Sequence, residues 1–148
     1  MTIENDRTHT VAIVDDSRED RYLLKRFLKK TELSLVILEA GNGQEAIDLL
    51  VKPREELQAL HPDINEPVTI FLDINMPVMN GWEFLSELEK RHEDIVLKRT
   101  VIIMYSTSDA AYEKEKAKQF STVANYIVKG ETTPQGLRQT ILDYQSET

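Results

Sequence analysis

Five groups able to do chemistry stand directly after short apolar runs. Asp15 and Asp16 follow the run at 11–14, Asp73 follows 68–72, Ser106 follows 101–105 and Lys129 follows 126–128. Runs of this length and β-branched content read as buried strands. If the strands are parallel, their carboxyl ends lie on one edge and the five groups converge there, with Asn75 just beyond Asp73. Three crowded carboxylates repel one another and need a cation. An oxygen donor set without His or Cys suits a hard ion that keeps part of its water, Mg²⁺ or a close substitute. Lys129 adds a movable positive charge, and Ser106 a hydroxyl able to donate to a phosphoryl oxygen. Such a set equips a carboxylate to act as nucleophile and form an aspartyl phosphate, with metal and lysine neutralising the transferring group.

Each of these residues also has an ordinary role. Acidic pairs are favoured at helix starts by the macrodipole, aspartates populate turns, and strand-end lysines and serines are common. Their joint placement carries the reading.

The elements that must position them alternate in type. Helical apolar spacing at Leu23, Leu24, Phe27 and Leu28 follows the first strand, opened by a capping pattern at Ser17 and Asp20. A second strand is expected at 35–38, then a Gly41-Asn42-Gly43 turn and a helix with Ala46, Ile47, Leu49 and Leu50 inward. After the third strand a turn at 77–81 leads to a helix with Trp82, Phe84, Leu85 and Leu88 in the core. Ser108 or Asp109 caps a helix over about 110–120. Thr133-Pro134 opens a final helix striped by Leu137, Ile141, Leu142 and Tyr144. Pro53, Pro62 and Pro67 argue against a continuous helix over 53–67, which reads as an enlarged connection. Strand then helix, about five times, implies an α/β fold with a parallel sheet covered on both faces and right-handed crossovers.

Composition narrows the function further. The chain has 148 residues, the size of one domain, with 41% hydrophobic and 30% charged residues. A net charge of −8 opposes a phosphate-tracking nucleic-acid surface. The absence of cysteine removes disulfides and thiolate chemistry. The polar segment 1–9 has no apolar signal region, and no run approaches the roughly 20 residues that span a bilayer. A cytoplasmic protein without membrane attachment is expected. His9, His61 and His92 lack metal-ligand spacing. The glycine pattern at 41–46 follows the second strand instead of the first, and reads as a turn instead of a dinucleotide site.

The segment Val11-Ala-Ile-Val-Asp15-Asp16-Ser17, the segment Phe71-Leu72-Asp73-Ile-Asn75-Met76-Pro77 continuing to Asn80-Gly81, the serine after Met104-Tyr105, and Tyr126-Ile-Val-Lys129 together resemble the receiver domain of two-component response regulators. The resemblance extends over about residues 10–144 and is similar to stand-alone regulators of the chemotaxis and phytochrome-associated kinds. It implies a doubly wound five-stranded sheet in the flavodoxin-like order 2-1-3-4-5. It implies that Asp73 is the phosphoacceptor, that Asp16 is the acidic ligand of Mg²⁺ with Asp15 acting directly or through water, and that the Asn75 carbonyl completes the metal site. Ser106 matches the switch hydroxyl, Lys129 the family lysine, and Tyr126 the aromatic that turns inward on activation. Met76 and Pro77 match the turn shaping the acceptor loop, while Asn75 and Ser108 flank the path of the hydrolytic water.

The implied partners are a sensor histidine kinase or phosphotransfer protein, and a downstream protein meeting the face built from the 110–120 helix, the Tyr126 strand and the last helix. The expected role is a signalling phosphoacceptor, limited to self-phosphorylation and self-dephosphorylation. A receiver-like adaptor working without phosphorylation is one alternative. A phosphatase of the haloacid-dehalogenase kind is another, although it would need a second aspartate where Asn75 stands. With so little chain after Tyr144, an appended DNA-binding module of ~50 residues is not expected. One departure stands out: Gly130 replaces the usual proline after the lysine. A trans Lys129–Gly130 bond is expected, because a non-proline cis bond costs roughly 2.5–4 kcal/mol. A loosely held but inward lysine should follow.

Overall fold

The computed structural model describes residues 7–145. Of the polar segment read at 1–9, residues 1–6 lie outside the described residues, and Thr8 and His9 already belong to a strand. The strands are β1 (Thr8–Val14), β2 (Ser34–Ala40), β3 (Val68–Leu72), β4 (Thr100–Ser106) and β5 (Val123–Val128). The helices are α1 (Arg18–Lys29), α2 (Gly43–Leu50), α3 (Arg54–Leu60), α4 (Gly81–Lys90), α5 (Ala111–Ala117) and α6 (Pro134–Gln145). All strand pairs are parallel, in the order β2-β1-β3-β4-β5.

Side chains alternate across the sheet. Ala12, Val14, Ile70, Leu72, Ile102 and Met104 pack against Ile47, Leu50, Leu57, Phe84, Leu85 and Ala117, so α2 to α5 cover one face. Val11, Ile13, Phe71, Ile103 and Tyr105 meet Leu24, Leu28, Leu137 and Ile141, so α1 and α6 cover the other. Phe71, Phe84, Leu28 and Ile47 are almost wholly buried, and each such side chain stabilises the fold by roughly 1.5–3 kcal/mol. Because the chain runs from β1 outward to β2 and then back across to β3, the strand order reverses between β1 and β3. A crevice opens there at the carboxyl ends.

Several local expectations need correction. The 53–67 connection contains α3, which starts just after Pro53, where proline removes no helical hydrogen bond, and ends before Pro62. Leu57 anchors it in the core. Leu23 is 48% exposed, outside the buried stripe of α1. Trp82 is half-buried and stacks on Phe120 at 6.0 Å between ring centroids, at the rim of the core instead of within it. Helix α5 stops at Ala117, and neither Ser108 nor Asp109 is its N-cap. Ala110 occupies that position without a side-chain bond, Ser108 donates to Glu113, and Asp109 pairs with Lys114. β5 begins earlier than expected and is half-exposed, because it is an edge strand.

Candidate functional site

The backbone of each strand-end residue is held by its neighbouring strand. The Asp15 amide donates to the Ala40 carbonyl at 3.0 Å, the Asp73 amide to Val14 at 2.9 Å and the Lys129 amide to Ser106 at 2.8 Å. These bonds carry the sheet ladders one step past the strands, so the functional side chains leave a fixed edge. Gly81 fixes the loop after β3 from below. Its amide donates to the Ile74 carbonyl at 2.8 Å, and a Cβ there would lie 2.4 Å from the Asp73 carbonyl oxygen. Only glycine admits so close an approach. The capping box of Asn80 and Glu83 then starts α4 immediately beyond.

Asp15, Asp16 and Asp73 each bring a carboxylate oxygen within 4.8 Å of the others. Asp15 is buried, Asp73 half-buried and Asp16 exposed. At Mg²⁺–oxygen distances of about 2.0–2.1 Å, ligands on opposite sides of one ion are separated by roughly 4 Å, so the cluster has the scale of a single hard-cation site. The donor set, three carboxylates without nitrogen or sulfur, fits the same ion. Asn75, exposed, follows in the loop after β3. Asp15 Oδ1 accepts the Ser17 amide at 2.9 Å, and the Asp15 carbonyl accepts Arg21 at 2.6 Å.

Lys129 points into the cluster. Its Nζ lies 2.6 Å from Asp15 Oδ2, 2.9 Å from Asp20 Oδ2 and 3.6 Å from Asp73 Oδ2. It also sits 5.9 Å from the centre of the Tyr105 ring. The Lys129–Gly130 peptide is trans, the one cis bond among the described residues being Glu66–Pro67, and Gly130 adopts φ +87°. Lys129 is inward, as expected, with three carboxylates around a side chain that is 11% exposed.

The charges leave a clear electrostatic signature. Burial, aided by the Asp15 charge, pushes the Asp73 carboxyl up to about 6, against the opposing pull of Lys129 and the Ile74 amide. Burial opposes the charge on Lys129, but hydrogen bonds to Asp15 and Asp20 outweigh it and hold the amine above the ordinary lysine range.

Beside the acids, Ser106 is 1% exposed and its Oγ accepts the Ser108 amide at 3.2 Å. Tyr126 is half-buried and donates its hydroxyl to the Ser108 carbonyl at 2.8 Å. The Ser108 hydroxyl donates to the buried Glu113 at 2.7 Å. The 106–108 turn thus joins Ser106, Tyr126 and α5 in one hydrogen-bonded unit.

Sequence reasoning brought Asp15, Asp16, Asp73, Asn75, Ser106 and Lys129 to one edge, and the structure places them there. It missed Asp20, read as half of a capping box. Ser17 does accept the Asp20 amide, at 3.1 Å, but the Asp20 carboxylate turns to Lys129. Its position four residues after Asp16, on the first turn of the next helix, was the available signal. Glu113 and Tyr105 were missed because only tertiary packing brings them near.

A family model described as the response regulator receiver domain matches residues 11–141, and the chain belongs to that family. Receiver domains are the phosphoacceptor modules of two-component signalling. A protein-glutamate methylesterase/protein-glutamine glutaminase of Geobacillus kaustophilus is 33% identical over 83% of this chain, which spans only 30% of that relative. The chemotaxis protein CheY4 of Vibrio cholerae superimposes with a TM-score of 0.65 at 26% identity, covering 92% of this chain and 98% of that one. The phosphorylated cyanobacterial phytochrome response regulator RcpA shares the fold with a TM-score of 0.70 at 23% identity, covering 91% and 94%. Among the described residues, no helix is long and apolar enough to cross a membrane.

Proposed function

We propose that this receiver domain takes a phosphoryl group onto Asp73 from the phosphohistidine of a sensor kinase or phosphotransfer protein, in a Mg²⁺-dependent reaction in the cytoplasm. The observation that carries the reading is the cluster of Asp15, Asp16 and Asp73 with the Lys129 amine directed into it. Asp73 offers Oδ2 toward Lys129 while Oδ1 accepts the Ile74 amide at 2.9 Å, so one oxygen is braced and the other faces the edge. In the transfer, an Asp73 oxygen forms a P–O bond as the donor's P–N bond breaks. The electron pair departs with the imidazole.

Asp15, Asp16, Asp73 and the Asn75 carbonyl would hold Mg²⁺, which supplies charge neutralisation for the phosphoryl oxygens. Lys129 supplies the protein's own positive charge at the same oxygens, and Ser106 donates its hydroxyl to one of them. That movement withdraws Ser106 from the Ser108 amide, and Tyr126 reorients with the turn. The switched face is α5, β5 and α6, the surface offered to a downstream protein.

The domain itself is a phosphoacceptor with slow self-phosphorylation and self-dephosphorylation. A phosphatase cycle would need an acid–base group at Asn75, and an amide cannot serve. Incubation with acetyl phosphate tests the proposal. The expected result is stoichiometric, Mg²⁺-dependent labelling, whereas sustained turnover of a generic phosphate ester would contradict it.

A further inference from the structure

Lys129 has two close carboxylate partners of different standing. Asp15 belongs to the cluster that would hold the metal, so with the ion bound it would be shared between two cations. Asp20 lies outside that cluster and pairs with the lysine at 2.9 Å from the first turn of α1. An ammonium has three donors, enough to keep Asp20 while giving up Asp15. The backbone around the lysine is held by hydrogen bonds, the Lys129 amide donating to Ser106 at 2.8 Å and the Glu131 amide to Val128 at 3.1 Å, which fix the main chain but not the long side chain. Gly130 sits at φ +87° with nothing within 4 Å of the position a Cβ would take, so residue 130 adds no side-chain packing beside the lysine. Asp20, in contrast, is mounted on a helix capped by Ser17, and its carboxylate is 37% exposed beside an amine that is 11% exposed.

We propose that Asp20 is a positioning residue for Lys129: it keeps the amine at the acceptor edge when Asp15 turns to the metal and the phosphoryl group arrives on Asp73. Positioning that proline after the lysine would supply through the backbone is supplied here by a side chain from another element. The inference rests on the reading of Asp73 as phosphoacceptor, but its first test does not.

In the metal-free, unphosphorylated protein, modification of Lys129 by an amine-reactive acylating reagent, followed by peptide mass spectrometry, should be several-fold faster in Asp20→Asn, with Lys25 unchanged as internal control. Equal Lys129 reactivity in the two proteins would overturn the proposal. The second test is a double-mutant cycle with acetyl phosphate and Mg²⁺. Asp20→Asn should slow labelling about fivefold, the scale of a part-exposed charged pair, and Asp20→Glu should restore much of it. In a Lys129→Met background Asp20→Asn should change nothing. An equal fall in that background would show that Asp20 acts through its charge on donor or metal, and would refute the positioning role. Failure of the phosphoacceptor reading would appear separately, as an unlabelled Asp73 in the parent protein.

Discussion

Asp73 and Lys129 face each other across 3.6 Å, yet the lysine makes its shorter contacts to Asp15 and Asp20. Asp73, the proposed acceptor, is therefore the most distant of the three acids around Lys129, and burial with the Asp15 charge pushes its carboxyl up to about 6. In the metal-free protein the charged acceptor costs the fold stability, which a metal or a phosphoryl group with its metal can recover.

Asp73→Asn should stabilise the metal-free protein at neutral pH. The Asp73 pKa rises on folding from 3.8 to about 6, which corresponds to a cost on the order of 2–3 kcal/mol once the carboxylate is charged. A raised pKa gives its full stabilisation below the unfolded value and loses it as pH rises through 6. The advantage of the Asn variant should accordingly be greatest above pH 6 and shrink as pH falls through it. Urea unfolding of both proteins across this range checks the sign, and an advantage that grows on acidification would contradict it.

Mg²⁺ affinity should fall as pH drops through about 6, because a proton on Asp73 competes with the ion. Isothermal titration with Mg²⁺ at several pH values reads this directly. In Asp73→Asn the pH dependence in this window should be largely lost.

Gly81→Ala should destabilise the protein by about 1–3 kcal/mol, the usual cost of overpacking. The added Cβ meets the Asp73 carbonyl at 2.4 Å and Ile74 Cα at 3.1 Å, both backbone atoms unable to give way without moving the loop after β3. Labelling of Asp73 should fall with stability. Val78 offers the opposite case in the same loop. It is 81% exposed at φ +67°, a region that strains a β-branched residue. Val78→Asn should raise stability by about 1 kcal/mol, measured as a shift in the urea midpoint at constant slope.

Ser106→Ala should leave Asp73 able to accept the phosphoryl group while uncoupling Tyr126 from it. A phosphoryl group shifts a two-state equilibrium only through contacts that differ between the states, and in the proposed switch the Ser106 hydroxyl would be such a contact. NMR of selectively labelled tyrosine should show Tyr126 responding to phosphorylation in the parent and not in the variant. An unresponsive Tyr126 in the parent would refute the coupling.

Strands and their polar ends were legible because each buried strand of a parallel sheet is a short apolar run, and β3 matched residue for residue. Their convergence followed from parallel pairing alone. Helix α3 was hidden because Pro53, Pro62 and Pro67 argued against a continuous helix over 53–67; no helix spans it, but the stretch between the first two prolines holds a short one of 7 residues. Asp20 was hidden because an aspartate three residues after an N-cap serine serves local capping equally well. Only the return of β5 beside β4 brings Lys129 to it. Trp82 has helical spacing suited to the core, but Phe120 covers it from the loop after α5, at the rim.

The central claim is tested most directly by mapping the site of phosphorylation. Parent and Asp73→Asn proteins are treated with acetyl phosphate and Mg²⁺ and digested for peptide mass spectrometry. One phosphoryl group on the peptide containing Asp73 in the parent, absent in the variant and suppressed by a chelator, is the predicted result. Labelling that persists in Asp73→Asn, or that is unchanged when Mg²⁺ is removed, would contradict it.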